Sequence, residues 1–200
     1  MSDTPADFRP ELERIKRVSD MLCTAHAGLQ SKYTRRALIA ELITLAASTW
    51  LVALVFVEPR INIHLTPKGF DPQVWIGFLS TATLFLTILQ IRTDWRGKAD
   101  AHCRSLAMYA EVKRECSYLL VSGAAIRQPE CQRLLTRYDL ATDIGIKVPD
   151  DAFLKYKKRH LTKVAISKHL DAHPGTSTLL FRWRLWKRDN WSITREHRAN

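Results

Sequence analysis

Apolar positions along the first part of the chain repeat with the spacing of one helix face. Phe8, Leu12, Ile15, Ser19, Leu22, His26, Leu29 and Tyr33 alternate steps of four and three, which is a heptad seam. Val18 and Ala25 stand beside its weaker members, while Glu11, Glu13, Arg14, Lys16 and Arg17 fall off it. Such an amphipathic helix needs another helix to cover its stripe. It continues without a break into residues 37–57, ALIAELITLAASTWLVALVFV, where Glu41 is the single charge.

A second apolar stretch mirrors the first. Residues 72–91 contain no Asp, Glu, Lys or Arg, about the 20 residues that cross a hydrocarbon core. Beyond Arg92 a second seam follows at Trp95, Ala99, His102, Leu106, Tyr109, Val112, Cys116 and Leu119 or Leu120, separated by charges such as Asp100, Arg104, Glu111, Lys113 and Arg114. Nothing at Arg92 stops a helix, so span and seam are expected to form one unbroken element, with Gly97 a single weak point and Ser122-Gly123 the stop. Between the halves, residues 58–73 carry Pro59, Pro67, Gly69 and Pro72, which no helix runs through. Ile61, Ile63 and Leu65 alternate there with polar residues and suit a short extended piece of a compact loop.

Residues 8–57 and 72–120 therefore have the same parts in opposite order. At 1.5 Å per residue each would be about 75 Å long. Folded back on the connector, the apolar parts align in a bilayer and the charged seams meet below it. The fold class expected is an all-α membrane protein. Two long antiparallel helices form a transmembrane hairpin, with spans at about residues 37–57 and 74–91, and continue as a cytosolic coiled-coil-like pair. Residues 8–122 make that unit. Residues 123–175 read as short cytosolic helices, one over residues 128–142 opening at Pro129 and one over residues 153–170. Residues 176–200 are a basic, Trp-rich tail.

Charge fixes the orientation. The spans end on Lys32, Arg35 and Arg36 at one boundary and Arg92, Arg96, Lys98 and Arg104 at the other, whereas the connector holds Arg60 and Lys68. The excess of cations predicts both termini in the cytosol, with the connector outside. Mean hydropathy, −0.19, hides the spans because charged flanks dilute them. The N-terminal residues are too charged for a cleavable signal peptide. Much of the formal net charge of +11 falls in the last fifty residues and calls for an anionic neighbour, lipid or nucleic acid. Cys23, Cys103, Cys116 and Cys131 stand singly, as small buried thiols in a reducing compartment rather than as a disulfide frame or zinc site.

Chemistry is sparse. There is no GxSxG, Walker loop, HExxH or tight acidic pair, so no catalytic residue, cofactor or metal is expected. His26 reads as a hydrogen-bonded core histidine, since no second ligand stands at helical spacing. The nearest thing to a working site is a polar stripe, Ser80, Thr83, Thr87, Gln90 and Asp94, faced by Thr44 and Ser48 on the first span. Such a stripe glues helices together, lines a wet pore in an oligomer, or is simply tolerated because hydroxyls bond back to the preceding turn. At the membrane edge, Tyr33, Arg35, Arg36, Arg92 and Trp95 form a collar, and Glu41 can reach headgroup water or pair with Arg36 or a neighbouring subunit. In the tail, Trp183, Trp186 and Trp191 alternate with Arg182, Arg184, Lys187 and Arg188. That mixture suits a membrane interface, nucleic acid, or docking on the cytosolic helices.

The hairpin with its leading amphipathic helix, followed by Trp95, Arg96, Gly97, Lys98, Ala99, Asp100, Ala101 and His102 and then by Tyr109, Ala110, Glu111, Val112, Lys113, Arg114 and Glu115, resembles the SLATT domain families. These are two-transmembrane effectors of prokaryotic conflict systems that use nucleotide second messengers, and some accompany reverse transcriptases. The likeness covers about residues 8–122, with His102, Tyr109 and Glu115 at family-like helix positions. It implies a homo-oligomeric membrane effector that forms pores when a partner (a nucleotide cyclase, nucleotide sensor or reverse transcriptase) detects infection, and so arrests or kills the cell. A second reading is a non-conducting membrane anchor whose arms and basic tail recruit a protein or nucleic acid. A transporter is disfavoured because Glu41 is the one ionisable group within the spans.

Overall fold

The computed structural model describes residues 8–56, 66, 67, 69, 71–122 and 127–199, with side chains as far as residue 191. The described elements are six helices: α1 (Arg9–Phe56), α2 (Pro72–Thr93), α3 (Trp95–Val121), α4 (Gln128–Ile144), α5 (Asp150–Ala172) and α6 (Thr178–Ala199). The extended segment expected at Ile61, Ile63 and Leu65 lies outside the described residues. Local chemistry sets the ends. The Asp71 carboxylate accepts the Gln73 N–H at 2.8 Å and Pro72 takes the first helical position of α2, where its missing N–H costs nothing. Asp150 and Asp151 open α5, on the side of the helix dipole that favours acids. The tail, for which no element was expected, is helical.

α1 runs antiparallel to α2 and α3. Thr44 meets Gln90, Glu41 meets Arg96, His26 meets His102 and Asp20 meets Lys113, so residue numbers fall on one side as they rise on the other. Two stretches, the C-terminal part of α1 and α2, are long and apolar enough to cross a membrane. Their large side chains, among them Leu42, Phe56, Phe78, Phe85 and Ile91, face outward. Of the buried apolar residues described, Ala37 and Leu54 alone fall in these stretches.

The aqueous core lies elsewhere. Leu12 and Ile15 of α1 pack with Val112 and Cys116 of α3 and with Cys131 and Leu134 of α4. Each large aliphatic side chain fully withdrawn from water contributes about 1.5–3 kcal/mol, which makes this cluster the main anchor of α4. Farther along α1, Ala25 and Leu29 pack with Tyr156 of α5. The Ser105 hydroxyl of α3 accepts the Ile146 N–H at 3.1 Å and so fixes the α4–α5 connection to the same scaffold. Both heptad seams are thus covered, by each other and by α4 and α5. Cys116 and Cys131 are buried as expected, but Cys103 is exposed.

Two departures from the expected pattern occur at one level. On α1 the seam steps from Leu29 to Tyr33 to Ala37, two fours in succession. A strict heptad would bring Arg36 inward, yet Ala37 is buried and Arg36 exposed. An inserted four-residue step of this kind locally unwinds helix supercoiling. On the other side, the unbroken helix expected through Arg92 is interrupted. Asp94 has φ 43 and ψ 56, in the left-handed region, a conformation that Asp tolerates better than most residues. The seams of the arms and of the apolar stretches are out of phase, and both helices absorb the difference here.

α5 approaches α1 closely at Gly28, where an added Cβ would lie 2.1 Å from Tyr156 Cε1. Gly28→Ala is expected to cost about 1–3 kcal/mol by overpacking and to raise amide hydrogen exchange across α5. Adding Tyr156→Ala should restore α5 docking in part. Unchanged exchange in Gly28→Ala would contradict this packing.

Candidate functional site

The interruption at Asp94 is built from the Asp94 carboxylate and Gly97, with Gln90, Glu41 and Arg96 around it. The Asp94 N–H still donates to the Gln90 carbonyl at 3.0 Å, while its carboxylate turns forward and accepts the Gly97 N–H at 3.0 Å. One residue therefore closes α2 and caps α3. Gly97 is required rather than weak: a Cβ there would lie 2.1 Å from Asp94 Oδ2. On the apolar side of the break, Gln90 Nε2 donates to the Ala40 carbonyl at 2.9 Å and to the Thr44 hydroxyl. Glu41 pairs with Arg96 at 2.9 Å, across the helix pair, whereas Arg36 is one of several partners open to it in the sequence. Both members are substantially exposed, so the pair adds little by itself. A small depression of about 60 Å³ remains between Ala37, Gln90, Asp94 and Trp95.

The rest of the polar stripe divides. Thr83, Thr87, Thr44 and Ser48 are half-buried on the faces that α1 and α2 turn to each other, whereas Ser80 is exposed. Thr83 donates to the Leu79 carbonyl, Thr87 to Thr83, Ser80 to Ile76, Ser48 to Thr44 and Thr44 to Ala40, all within their own helices. Gln90 supplies two side-chain hydrogen bonds that tie the two apolar stretches together. Arg35, Arg36 and Arg92 are exposed at this level, as a collar would be, and Trp95 is half-buried.

Tyr33 is half-buried against the facing helix. It stacks on His102, with centroids 5.6 Å apart and planes inclined by 4°. His102 Nδ1 lies 3.0 Å from His26 Nδ1, and His26 in turn stacks on Tyr109 at 5.5 Å, with Tyr138 edge-on to Tyr109. A polar aromatic ladder thus fills the centre of the arms, with both histidines buried. Burial drives the His26 pKa down to about 4, helped by its neighbour His102, and burial lowers that of His102 as well. Both rings are neutral at neutral pH, one donating and the other accepting. Sequence reasoning found His26 as a core histidine and missed its partner. The signal was present, because both histidines lie on the two seams that fold together. The third family-like residue, Glu115, accepts from Arg137, which also reaches Glu111 at 3.2 Å, so it ties α4 to α3.

In the tail helix α6, Phe181 stacks on His169 of α5 at 4.0 Å. Trp183, Trp186 and Trp191 do not dock on the other helices and remain about 60% exposed. Lys187 lies over the Trp183 and Trp191 rings at 5.4 and 5.8 Å. Arg182, Arg184 and Arg188 are exposed beside them. No group of metal-ligating side chains occurs among the described residues. Compared with protein-family models, curated proteins and solved structures, the chain matches none.

The histidine pair has a consequence for stability. The unfolded chain protonates these rings near pH 6.5, whereas folded His26 resists protonation to about pH 4. Stability from the neutral pair is therefore complete above about pH 6.5 and is lost as pH falls toward 4, because the unfolded state binds more protons in that window. The melting temperature in detergent is expected to drop by about 5 °C or more from pH 7.5 to pH 5, and by less in His26→Gln. Parallel pH profiles for the two proteins would show that other groups carry the effect.

Proposed function

We propose that the chain is a two-span helical hairpin of the cytoplasmic membrane, with both termini in the cytosol, that acts as a self-assembling, membrane-permeabilising effector of a prokaryotic conflict system. The supporting observation is the pair of outward-facing apolar helices that close a polar seam between them. Leu42, Phe56, Phe78 and Phe85 are exposed to whatever surrounds the chain, which suits lipid and not water. Thr44, Ser48, Thr83, Thr87 and Gln90 are turned inward. In one chain this seam is shut. Conduction then requires neighbouring chains to draw α1 and α2 apart or to turn them, so that the hydroxyls exchange helix carbonyls for water.

The resemblance of residues 8–122 to SLATT effectors points the same way. It supplies the expected partner, a nucleotide cyclase, a nucleotide sensor or a reverse transcriptase. The arms give a trigger a route: a twist imposed on the packed pair α1–α3 reaches the spans at the Asp94 break, beside the Gln90 tie. The anchor reading draws on a different observation, the exposed Trp183, Trp186 and Trp191 of α6, which offer a surface to a cytosolic partner.

Dye uptake by cells producing the chain with its triggering partner separates the two. Thr83→Val/Thr87→Val keeps side-chain volume and removes two hydroxyls that bond only within their own helix. Uptake is expected to fall about tenfold at equal expression, the scale of one lost hydrogen bond at the transition to a wet seam. Growth arrest with intact membranes, or uptake unaffected by the double variant, would contradict a conducting seam.

A further inference from the structure

α5 carries Lys155, Lys158, Arg159 and Lys163 at steps of three, one and four, on one side of the helix. Arg182 of α6 faces them across a groove of about 440 Å³, whose wall also includes Ile166. No carboxylate lines this groove, and none of the five cations forms an ion pair among the described residues. Like charges three and four residues apart destabilise a helix, and here a second helix adds a fifth. The contrast with the groove between α3 and α4 is direct. There Arg133 and Arg137 stand beside Glu115 and Glu130, so the charge is neutralised internally.

We propose that the groove between α5 and α6 binds an anion bearing several phosphate groups. Its volume exceeds what one phosphate fills and lies within the range of small-molecule sites. Four of its cations are fixed to one rigid helix, and convergent Lys and Arg donors of this kind form short, charge-assisted hydrogen bonds to phosphate oxygens. The bound anion neutralises the groove and bridges α5 to α6, beside the Phe181–His169 stack that already holds them together. Lipid headgroups and soluble polyphosphates share this chemistry. The proposal does not depend on membrane permeabilisation, because binding is read without leakage.

The test uses the full chain in nanodiscs of zwitterionic lipid, titrated calorimetrically with inorganic tripolyphosphate and with orthophosphate. Tripolyphosphate is expected to bind at least about tenfold more tightly than orthophosphate, and Lys158→Gln/Arg159→Gln/Lys163→Gln to weaken it about tenfold or more. Arg127→Gln/Arg133→Gln/Lys147→Gln removes the same charge elsewhere and should leave binding unchanged. All substitutions are at exposed positions, and helicity by circular dichroism verifies the fold. In a second arm, chains are extracted from cardiolipin bilayers and phosphorus per chain is measured. Retention lost in the groove variant alone assigns the anion to a headgroup, and a tripolyphosphate effect alone assigns it to a soluble ligand. Equal effects of the two triple variants, or no binding in either arm, would overturn the proposal.

Discussion

A helix that must pack along its whole length keeps one face toward its partner only if its apolar period matches the twist of the pair. Here the period changes where charged arms give way to apolar stretches, and both helices must change phase at that level. On α1 the shift is made by the double step from Leu29 through Tyr33 to Ala37. On the other side it is made by Asp94 in the left-handed conformation, over the bare backbone of Gly97. The Gln90 contacts to Ala40 and Thr44 and the Glu41–Arg96 pair hold the two changes opposite each other. Everything on either side inherits its rotational setting from this joint.

Below the joint, packing is dense and unusually polar at its centre. Two neutral histidines bonded to each other and flanked by Tyr33 and Tyr109 replace the aliphatic knobs a heptad seam would normally carry. Such a pair fixes register, because a shifted seam would leave a buried ring nitrogen without a partner, a penalty that aliphatic side chains do not impose. Two apolar clusters, one farther along the arms at Leu12 and Ile15 and one level with His26 at Ala25 and Leu29, then hold α4 and α5 against the pair. Above the joint the reverse applies. The helices meet along small and hydroxylic side chains, with one cross-link at Gln90, and most of their surface faces outward. The stiff half is suited to transmit a rotation and the loosely tied half to respond to it.

Periodicity made much of this architecture legible. Leu12, Ile15, Ser19, His26 and Leu29 of one seam, and Ala99, His102, Tyr109, Val112 and Cys116 of the other, are buried, but Leu22 and Leu106 are only half-buried and Ser105 is buried beside Leu106. A helix opening at Pro129 follows from proline chemistry, and the next is expected from Phe153, three residues after its start at Asp150. What escaped was non-periodic. The Asp94 break is a single-residue event that leaves apolar spacing intact, and Gly97 then looks like a flaw instead of the space for a cap. For Glu41 the sequence leaves headgroup water, Arg36 and a neighbouring subunit open, whereas the fold supplies Arg96 from the facing helix. The stripe was visible, but the bonding of its hydroxyls within their own helices depends on rotamers that spacing does not encode. The cationic groove needed α6 as a helix beside α5, and the tail's composition carried no clear period.

The proposed function requires α1 and α2 to cross one membrane in opposite directions, with arms and tail on the same side. Thiol accessibility in intact cells tests this most directly. Cys103 is exposed on α3, and a cysteine introduced as His64→Cys marks the connector. A membrane-impermeant maleimide should label the connector cysteine in intact cells and Cys103 only after the membrane is permeabilised. Labelling of both sites alike in intact cells, or of Cys103 first, would contradict it.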